Sequence, residues 1–537
     1  MKERILLPNQ AVLAEALADP EVYGDQEGQV EMLETHISYI FLAGAYAYKV
    51  KKALKLGFLD FSTLEKRRYY CEQELRLNRR LAPTLYLEVI PITGTCANPL
   101  LGGEGTAIEY AVKMRRFAQH DLLNALLARG RLTHSHIDRL AEKMAGFHQT
   151  TAIAQAHSEF GSADLVRQPV VENFRQLRDL PLTLPCARQR DVLEQWSLKR
   201  WQVLEPVLSA RKADGFIREC HGDFHLGNIA VIGKDVVIFD CLEFNDELRW
   251  IDVMNDIAFL VMDCRERGST DLAQRFLNLY LEMTGDYAGL MVLQFYIVYR
   301  AMVRAKVHAM RASQGDLSPQ QRIRALEEFQ NYVAFALKQS ESADPAVLVT
   351  HGVSGSGKTV QTQHLLETIN AVRIRSDIER KRQYGLKPAD HSGSGVGSGL
   401  YRPQITEQLY KKLLGLAMTI VEAGYAVIVD ATFLAKWQRS MFQQLAVSQG
   451  IPFLILDFNV PEALLRARIH ERLKRGGEAS EANIVVLEYQ LKMQEALQGD
   501  ELVSVVSIDA AHKPAKNTWD GVLCRLGYQS HNHAALG

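Results

Sequence analysis

The segment VLVTHGVSGSGKTVQT, residues 347 to 362, constrains this chain more than any other. Gly352, Gly357, Lys358 and Thr359 fill every fixed position of G-x-x-x-x-G-K-[ST], with an apolar run before them and a helical pattern after. A strand that turns through Gly352, Ser354, Gly355, Ser356 and Gly357 into a helix aims unpaired backbone N–H groups at one point, where the helix dipole favours an anion. Such a loop suits the triphosphate of ATP: Lys358 would pair with the β and γ phosphates and Thr359 would hold Mg²⁺. The plainer alternative is an ordinary Gly/Ser-rich turn between strand and helix.

Downstream, strand-like runs (AVRIRSD, YAVIVDATF, PFLILDF, LVSVVSI) alternate with helical patterns, one from Lys358 and another from about Arg402. That rhythm implies an α/β unit with a parallel sheet covered on both faces. The Gly/Ser-rich stretch GLKPADHSGSGVGSGLYRP interrupts it and reads as a mobile loop. Asp377 falls at the end of the second strand, where a carboxylate can accept a proton from an incoming hydroxyl. Asp430 ends a buried strand and is placed to orient Mg²⁺ or its water, a capping role being the alternative. Residues 346 to 510 resemble the AAA-family P-loop kinases of the polynucleotide kinase, gluconate kinase and zeta-toxin type. By that likeness Asp377 is the acceptor-side base and Arg380 an acceptor-side contact. Arg468, Arg472 and Arg475, in RARIHERLKR, would be lid arginines that neutralise charge during transfer; a solvated helix face is the competing reading for each.

A second stretch, ECHGDFHLGNIAVIGKDVVIFDCLEF at residues 219 to 244, sets Asp223 and Asn228 five apart, with Asp240 after a strand-like run. The offset equals that of Asp and Asn in H-R-D-x-x-x-x-N. One carboxylate would accept the acceptor's proton, while the amide and the second carboxylate hold Mg²⁺ at one end of a short hairpin. His221, Asp223 and His225 could instead chelate a transition metal, but no later His/Asp cluster completes a site, and His225 reads as a structural hydrogen-bonding residue. Asp252 and Asp256, four apart after LRW, would share a helix face and brace the loop. HGDFHLGN with IFDCLEF resembles the aminoglycoside phosphotransferase and choline kinase branch of the kinase-like fold.

Upstream, THISYIFL, AYAYKVKKAL, YLEVIPITG and GTAIEYAVKMRRF read as strands, and STLEKRRYYCEQELRLNRRLA as one helix whose cap is Ser62 with Glu65. By the same likeness one of Lys49 and Lys51, which share a strand face, would contact the ATP phosphates. Lys49 fits better, with Glu74 as its helix partner and Glu72 in reserve. Only Gly44 precedes this strand, so the phosphate-covering loop is sparse. From about Asp121 to Ser340 the pattern is mostly helical, and residues 338 to 346 read as a linker. The whole arrangement resembles bacterial fusion proteins described as bifunctional aminoglycoside phosphotransferase/ATP-binding proteins. The resemblance implies an α+β, two-lobed, kinase-like domain over residues 1–340, followed by an α/β P-loop kinase domain with a parallel sheet over 346–537.

Composition narrows the partners. With 62 basic against 63 acidic side chains, no general polyanion surface is expected, so nucleic acid is not the expected partner, although a polynucleotide end is one conceivable acceptor for the P-loop half. The seven cysteines are scattered and never in C-x-x-C spacing, as in a reducing compartment. No signal peptide is legible, and no apolar run reaches the roughly 18 to 20 residues that span a bilayer. The expectation is a cytoplasmic phosphotransferase using ATP and Mg²⁺ on hydroxyl groups of small molecules, with no membrane partner. The competing expectation keeps the P-loop half as the ATPase or kinase and makes the N-terminal half a non-catalytic binding or regulatory module.

Overall fold

The computed structural model describes residues 8–24, 29–56, 59–315, 317–341, 344–394, 399–475, 480–512 and 518–527. Contacts divide the chain into two compact units, Met1–Asp263 with Tyr299–Val333, and Cys264–Val298 with Ala334–Gly537.

The first unit opens on an antiparallel sheet. Strands β1 (Glu31–Glu34), β2 (Ser38–Ala43) and β3 (Tyr46–Lys51) are followed by helix α1 (Leu64–Asn78), then β4 (Tyr86–Gly94), β5 (Pro99–Leu101) and β6 (Glu109–Arg115), in the order β1-β2-β3-β6-β4-β5. Alternation along β3 sends Ala47 into a cluster with Cys71 of α1, Tyr86 and Val112, and Tyr48 and Val50 into another with Phe41 and Ile92. The helix cap differs from the sequence expectation by one residue. Thr63 Oγ1 accepts from Lys66 N at 3.3 Å, because Ser62 is already bound to Asp60 Oδ1 at 2.5 Å.

Helices make up most of the rest of this unit, interrupted by the hairpin β7 (Ile229–Ile232) and β8 (Asp235–Ile238), paired in antiparallel register. Helix α2 (Val253–Glu266) closes the first stretch of this unit; α3 (Thr270–Thr284) belongs to the second unit, and α4 (Leu290–Ala312) returns to the first from Tyr299 onward. Asp252, expected on the same helix as Asp256, is instead the last residue of the short strand Trp250–Asp252, opposite Ile217. Its carboxylate is bound by the Arg211 guanidinium at 2.7 and 2.8 Å, so it does not touch the loop it was expected to brace.

In the second unit the expected strand–helix alternation is present. Strands β9 (Val347–His351), β10 (Ala371–Arg375), β11 (Ala426–Asp430), β12 (Phe453–Asn459) and β13 (Val505–Asp509) form one parallel sheet, ordered β10-β11-β9-β12-β13. The strands are nearly continuous apolar runs because both faces are covered; Leu348, Leu365, Ile428 and Leu456 are wholly buried in one such layer. Helix α5 (Lys358–Thr368) leaves β9 through the glycine loop, α6 (Ser376–Arg382) leaves β10, and α7 (Glu462–Arg475) and α8 (Ile484–Met493) lie between β12 and β13. The segment expected as a linker is partly helical, since the helix Pro319–Glu341 runs into it; residues 342 and 343 lie outside the described residues. Of the expected mobile loop, residues 395–398 lie outside the described residues, and Ser392 is tied to Glu481 by bonds of 2.8 and 2.6 Å.

Edge strand β10 would expose unpaired backbone groups, a template for unwanted pairing. Asn278 of α3 covers it: its Nδ2 donates to Ala371 O at 3.0 Å and its Oδ1 accepts from Arg373 N at 2.8 Å, all buried. Replacing Asn278 with alanine leaves both backbone groups unpaired, a loss of roughly 1–3 kcal/mol. We expect the thermal midpoint of the second unit to fall in calorimetry while the transition of the first unit stays in place.

Candidate active sites

In the first unit the strand Ile217–Glu219 ends in the loop that carries His221 to Asn228. Gly222 has φ +84°, and a Cβ there would meet Leu248 O at 3.0 Å, so the loop turns where only glycine fits. Asp256 of α2 fixes the turn, its two oxygens accepting from His221 N and Gly222 N at 2.9 Å each. Burial pushes the Asp256 carboxyl up, but the His148 hydrogen bond and the nearby histidines outweigh it and hold the group below the ordinary carboxylate range. His148, Cys220 and Asp256 lie together and buried, an association the sequence did not reveal. With both Asp256 oxygens engaged by amides, the group reads as a brace.

Asp223 and Asn228 meet as their spacing implied. Asn228 Nδ2 donates to Asp223 O at 3.0 Å and to Asp223 Oδ2 at 2.9 Å, and His225 Nε2 stands 3.4 Å from the same oxygen. Burial raises the Asp223 carboxyl, yet the charges of His225, His221 and Arg300 hold it well below the usual range. His221 Nδ1 accepts from Asp223 N at 3.3 Å and His225 Nδ1 from Gly227 N at 3.1 Å. Both rings therefore shape the turn, which counts against the alternative of a His221–Asp223–His225 metal trio.

Asp240 lies two residues beyond β8 in a left-handed conformation, φ +61°, and its side chain is 43% exposed. Lys49 Nζ donates to Asp240 Oδ1 at 2.6 Å and stands 2.8 Å from Glu74 Oε1, an ion pair without hydrogen-bond alignment. Glu74 rather than Glu72 is the helix partner; Glu72 is exposed and paired with Arg68. Lys51 is held wholly buried between Glu74 Oε2, at 2.6 Å, and Glu243 Oε1. This second pair escaped the sequence reading, although Lys-x-Lys in a strand and Glu243 three residues after Asp240 were its only signals. Burial pushes the Glu74 carboxyl up, but the two lysines more than reverse that and keep it ionised. Gly44, φ +52°, sits in the two-residue connection between β2 and β3, so this unit has a short hairpin where a longer phosphate-covering loop could be.

In the second unit Gly352, Gly355 and Gly357 have φ of +141°, +86° and +86°. A Cβ on Gly355 would meet Leu465 O at 3.1 Å and one on Gly357 would meet Arg468 Nη1 at 3.3 Å. Lys358 folds back over the loop, donating to Gly352 O at 2.8 Å, Val353 O at 2.9 Å and Ser356 Oγ at 3.3 Å. Thr359 Oγ1 donates to Asp430 Oδ2 at 2.6 Å, joining the two residues expected to hold a cation. Asp377 lies inside the first turn of α6, not at the strand end, because β10 stops at Arg375. Burial lowers the Lys358 ammonium, with the Asp430 and Asp377 carboxylates acting against that shift and the Arg472 guanidinium with it.

Arg468 donates to Gly355 O at 3.4 Å and Ala510 O at 2.7 Å, and Arg472 donates to Ala482 O at 2.6 Å. Neither is a merely solvated helix residue, while the side chain of Arg475 lies outside the described residues. Arg380 is buried under Tyr401 and donates to Leu400 O at 2.6 Å, which makes it an anchor for the loop beside Asp377. Sequence reasoning missed Gln490 of α8, whose Oε1 accepts from Ser354 N at 2.7 Å, and His351, whose Nδ1 lies 2.7 Å from Asp457 Oδ1.

Comparison with known proteins fits this arrangement. Residues 65–293 match the phosphotransferase enzyme family, and residues 347–497 match an AAA domain family. Uncharacterized proteins of Mycobacterium tuberculosis (strain ATCC 25618 / H37Rv) and Mycobacterium bovis are each 30% identical over 420 residues, covering 78% of this chain and 81% of theirs. The chain belongs to the family of phosphotransferase–AAA fusion proteins. Among solved structures, the fusion protein is similar to a choline/ethanolamine kinase family protein from Mesorhizobium loti: 13% identity, 61% of this chain, 99% of that chain, TM-score 0.37. It is also similar to a gluconokinase from Sinorhizobium meliloti 1021: 20% identity, 36% of this chain, 98% of that chain, TM-score 0.25. By its family matches and its sheet topology, the fusion protein pairs an α+β kinase-like region with a parallel-sheet P-loop kinase fold. No helix among the described residues is long and apolar enough to cross a membrane.

Burial pushes the Lys358 ammonium of the fusion protein down to about 8, against the pull of Asp430 and Asp377. A phosphate arriving beside it restores the charged form, so above that pH binding must take up a proton. We expect nucleotide affinity at this site to fall as pH rises between about 7 and 9, with calorimetric heats that depend on the buffer's ionisation enthalpy. Lys358→Ala should abolish both effects.

Proposed function

We propose that the fusion protein is an ATP-dependent phosphotransferase whose two domains, residues 1–340 and 346–537, each move the γ-phosphoryl group to a hydroxyl of a small molecule. The observation that carries this reading is the presence of two sets, Asp223–Asn228 and Lys49–Glu74–Asp240, in each of which the residues a kinase needs hold one another.

The donor sets suit Mg²⁺. Asp240 offers a half-exposed carboxylate, Asn228 uses its Nδ2 on Asp223 and keeps its Oδ1, and Thr359 with Asp430 offers a hydroxyl and a carboxylate. Mg²⁺, when bound, neutralises phosphate charge and orients the phosphoryl group. The chain's own groups do the rest. Asn228 and His225 both address Asp223 Oδ2, so Oδ1 is the oxygen left to receive a hydroxyl. A carboxylate kept so acidic stays ionised at neutral pH and orients the nucleophile, taking its proton late, as a loose transfer requires. Lys49, held between two carboxylates, is positioned to pair with phosphate oxygens. In the P-loop domain Lys358 and the loop amides serve the phosphates, Asp377 the acceptor proton, and Arg468 and Arg472 the developing charge.

A second reading makes the N-terminal domain a binding or regulatory module. The two-residue turn at Gly44 favours it, since it supplies little backbone to cover phosphates. Counting Mg·ATP sites by equilibrium dialysis separates the readings: the intact protein should bind two and Lys358→Ala one. In that Lys358→Ala background, Asp223→Asn should lower acceptor-dependent transfer by ~10²–10⁴-fold. A single site lost with Lys358 would leave only the P-loop domain as a transferase.

A further inference from the structure

Helix α4 passes directly behind the catalytic loop of the first unit. Arg300 Nη1 donates to Gly222 O at 3.1 Å and its Nε to Asn255 Oδ1 at 2.8 Å, so this guanidinium is committed to the loop. Its Cζ lies 4.8 Å from the centroid of the Phe259 ring, which also packs, at 5.1 Å between centroids, against His225, the neighbour of Asp223 Oδ2. Arg304 stands four residues on, on the same helix face and roughly 5–6 Å along the axis. It is half-buried, 5.8 Å over the Tyr332 ring and bonded to that side chain. Asp223 and Asp263 act on it from beyond ion-pair distance, and among the described residues it has no ion pair.

The carboxylates around the loop are differently placed. Asp256 is saturated by two amides, Asp263 accepts from Leu226 N at 3.0 Å, Asp252 is bound to Arg211, and Glu219 to Arg76 and Arg80. A polycationic or quaternary-amine acceptor needs carboxylates or open aromatic faces beside the reacting hydroxyl. One helical turn from Arg300, which binds the loop at Gly222, Arg304 instead presents a guanidinium without an ion pair among the described residues, and its planar fork matches carboxylate and phosphate oxygens.

We propose that the acceptor of the N-terminal domain is a small hydroxyl compound that also carries a carboxylate or phosphate, and that Arg304 binds this anionic group. The proposal rests on the reading of this domain as a transferase only for the word acceptor; the anion site stands on its own geometry.

The test uses the full chain carrying Lys358→Ala, saturated with Mg²⁺ and a non-hydrolysable ATP analogue, and measures binding by calorimetry. Probes are D-glycerate, D-glucuronate and glycerol 3-phosphate, with glycerol and glucose as neutral controls and choline and kanamycin as cations. At least one anionic probe should bind, Arg304→Gln should weaken it by ~10–100-fold, and Arg304→Lys should restore part of the loss. Binding of the neutral controls should not change with Arg304. Preference for choline or kanamycin, no binding by any anionic probe, or anion binding indifferent to Arg304→Gln would each overturn the proposal. The same anionic probes are then run with ATP. Arg304-dependent binding without phosphorylated product would leave the anion site standing and remove the transferase reading. Turnover in which Arg304→Gln lowers kcat equally for charged and uncharged acceptors would assign Arg304 to the transferred phosphoryl group and overturn its role toward the acceptor.

Discussion

Glu74 is the point on which the first unit depends. Its carboxylate is wholly buried between Lys49 and Lys51, and an ionised group so placed survives only because both oxygens face ammonium ions. Through those two lysines it joins helix α1 to strand β3, and onward to Asp240 and Glu243 on the chain beyond the hairpin. The cluster carries three carboxylates against two ammonium groups, and Asp240 is the member most open to solvent. An arriving cation is thus favoured at the one place where the cluster is accessible. Lys51 secures Glu74 on its other oxygen, so the carboxylate has a partner independent of Lys49.

The second unit solves a related problem with backbone. Its loop turns through three glycines at positive φ, two of them packed against α7, where a side chain would collide with Leu465 O or crowd Arg468. The amides are oriented by the turn itself, and the cationic groups are brought in from separate elements: Lys358 from α5, Arg468 and Arg472 from α7. Charge is thus handled differently in the two units, by ion pairs between buried side chains in one and by an oriented backbone loop with cations from separate helices in the other.

Much of this was legible because the relevant residues are close in sequence or carry fixed offsets. The five-residue step from Asp223 to Asn228, the glycine loop with Lys358 and Thr359, and the alternation of apolar runs with helices all act within a few turns of chain. The errors came where two local options were nearly equal. Ser62 and Thr63 both suit a helix cap, and the choice fell to Thr63 because Asp60 takes the Ser62 hydroxyl. Asp252 and Asp256 have helical spacing, but strand pairing with Ile217 removes Asp252 from the helix.

Sequence alone determined the two fold classes, the glycine turn that leads into Lys358 and Thr359, and the meeting of Asp223 with Asn228, because each is a short-range pattern imposed by backbone geometry or by the spacing of donors. Tertiary structure decided which lysine faces Asp240, that Glu74 serves both, that Asn278 covers strand β10, and that Arg304 stands one turn from Arg300, which binds the loop at Gly222. Those facts depend on side chains separated by tens to hundreds of residues meeting in one low-dielectric place. No local pattern encodes such a meeting, since burial and charge pairing are settled only when the whole chain has packed.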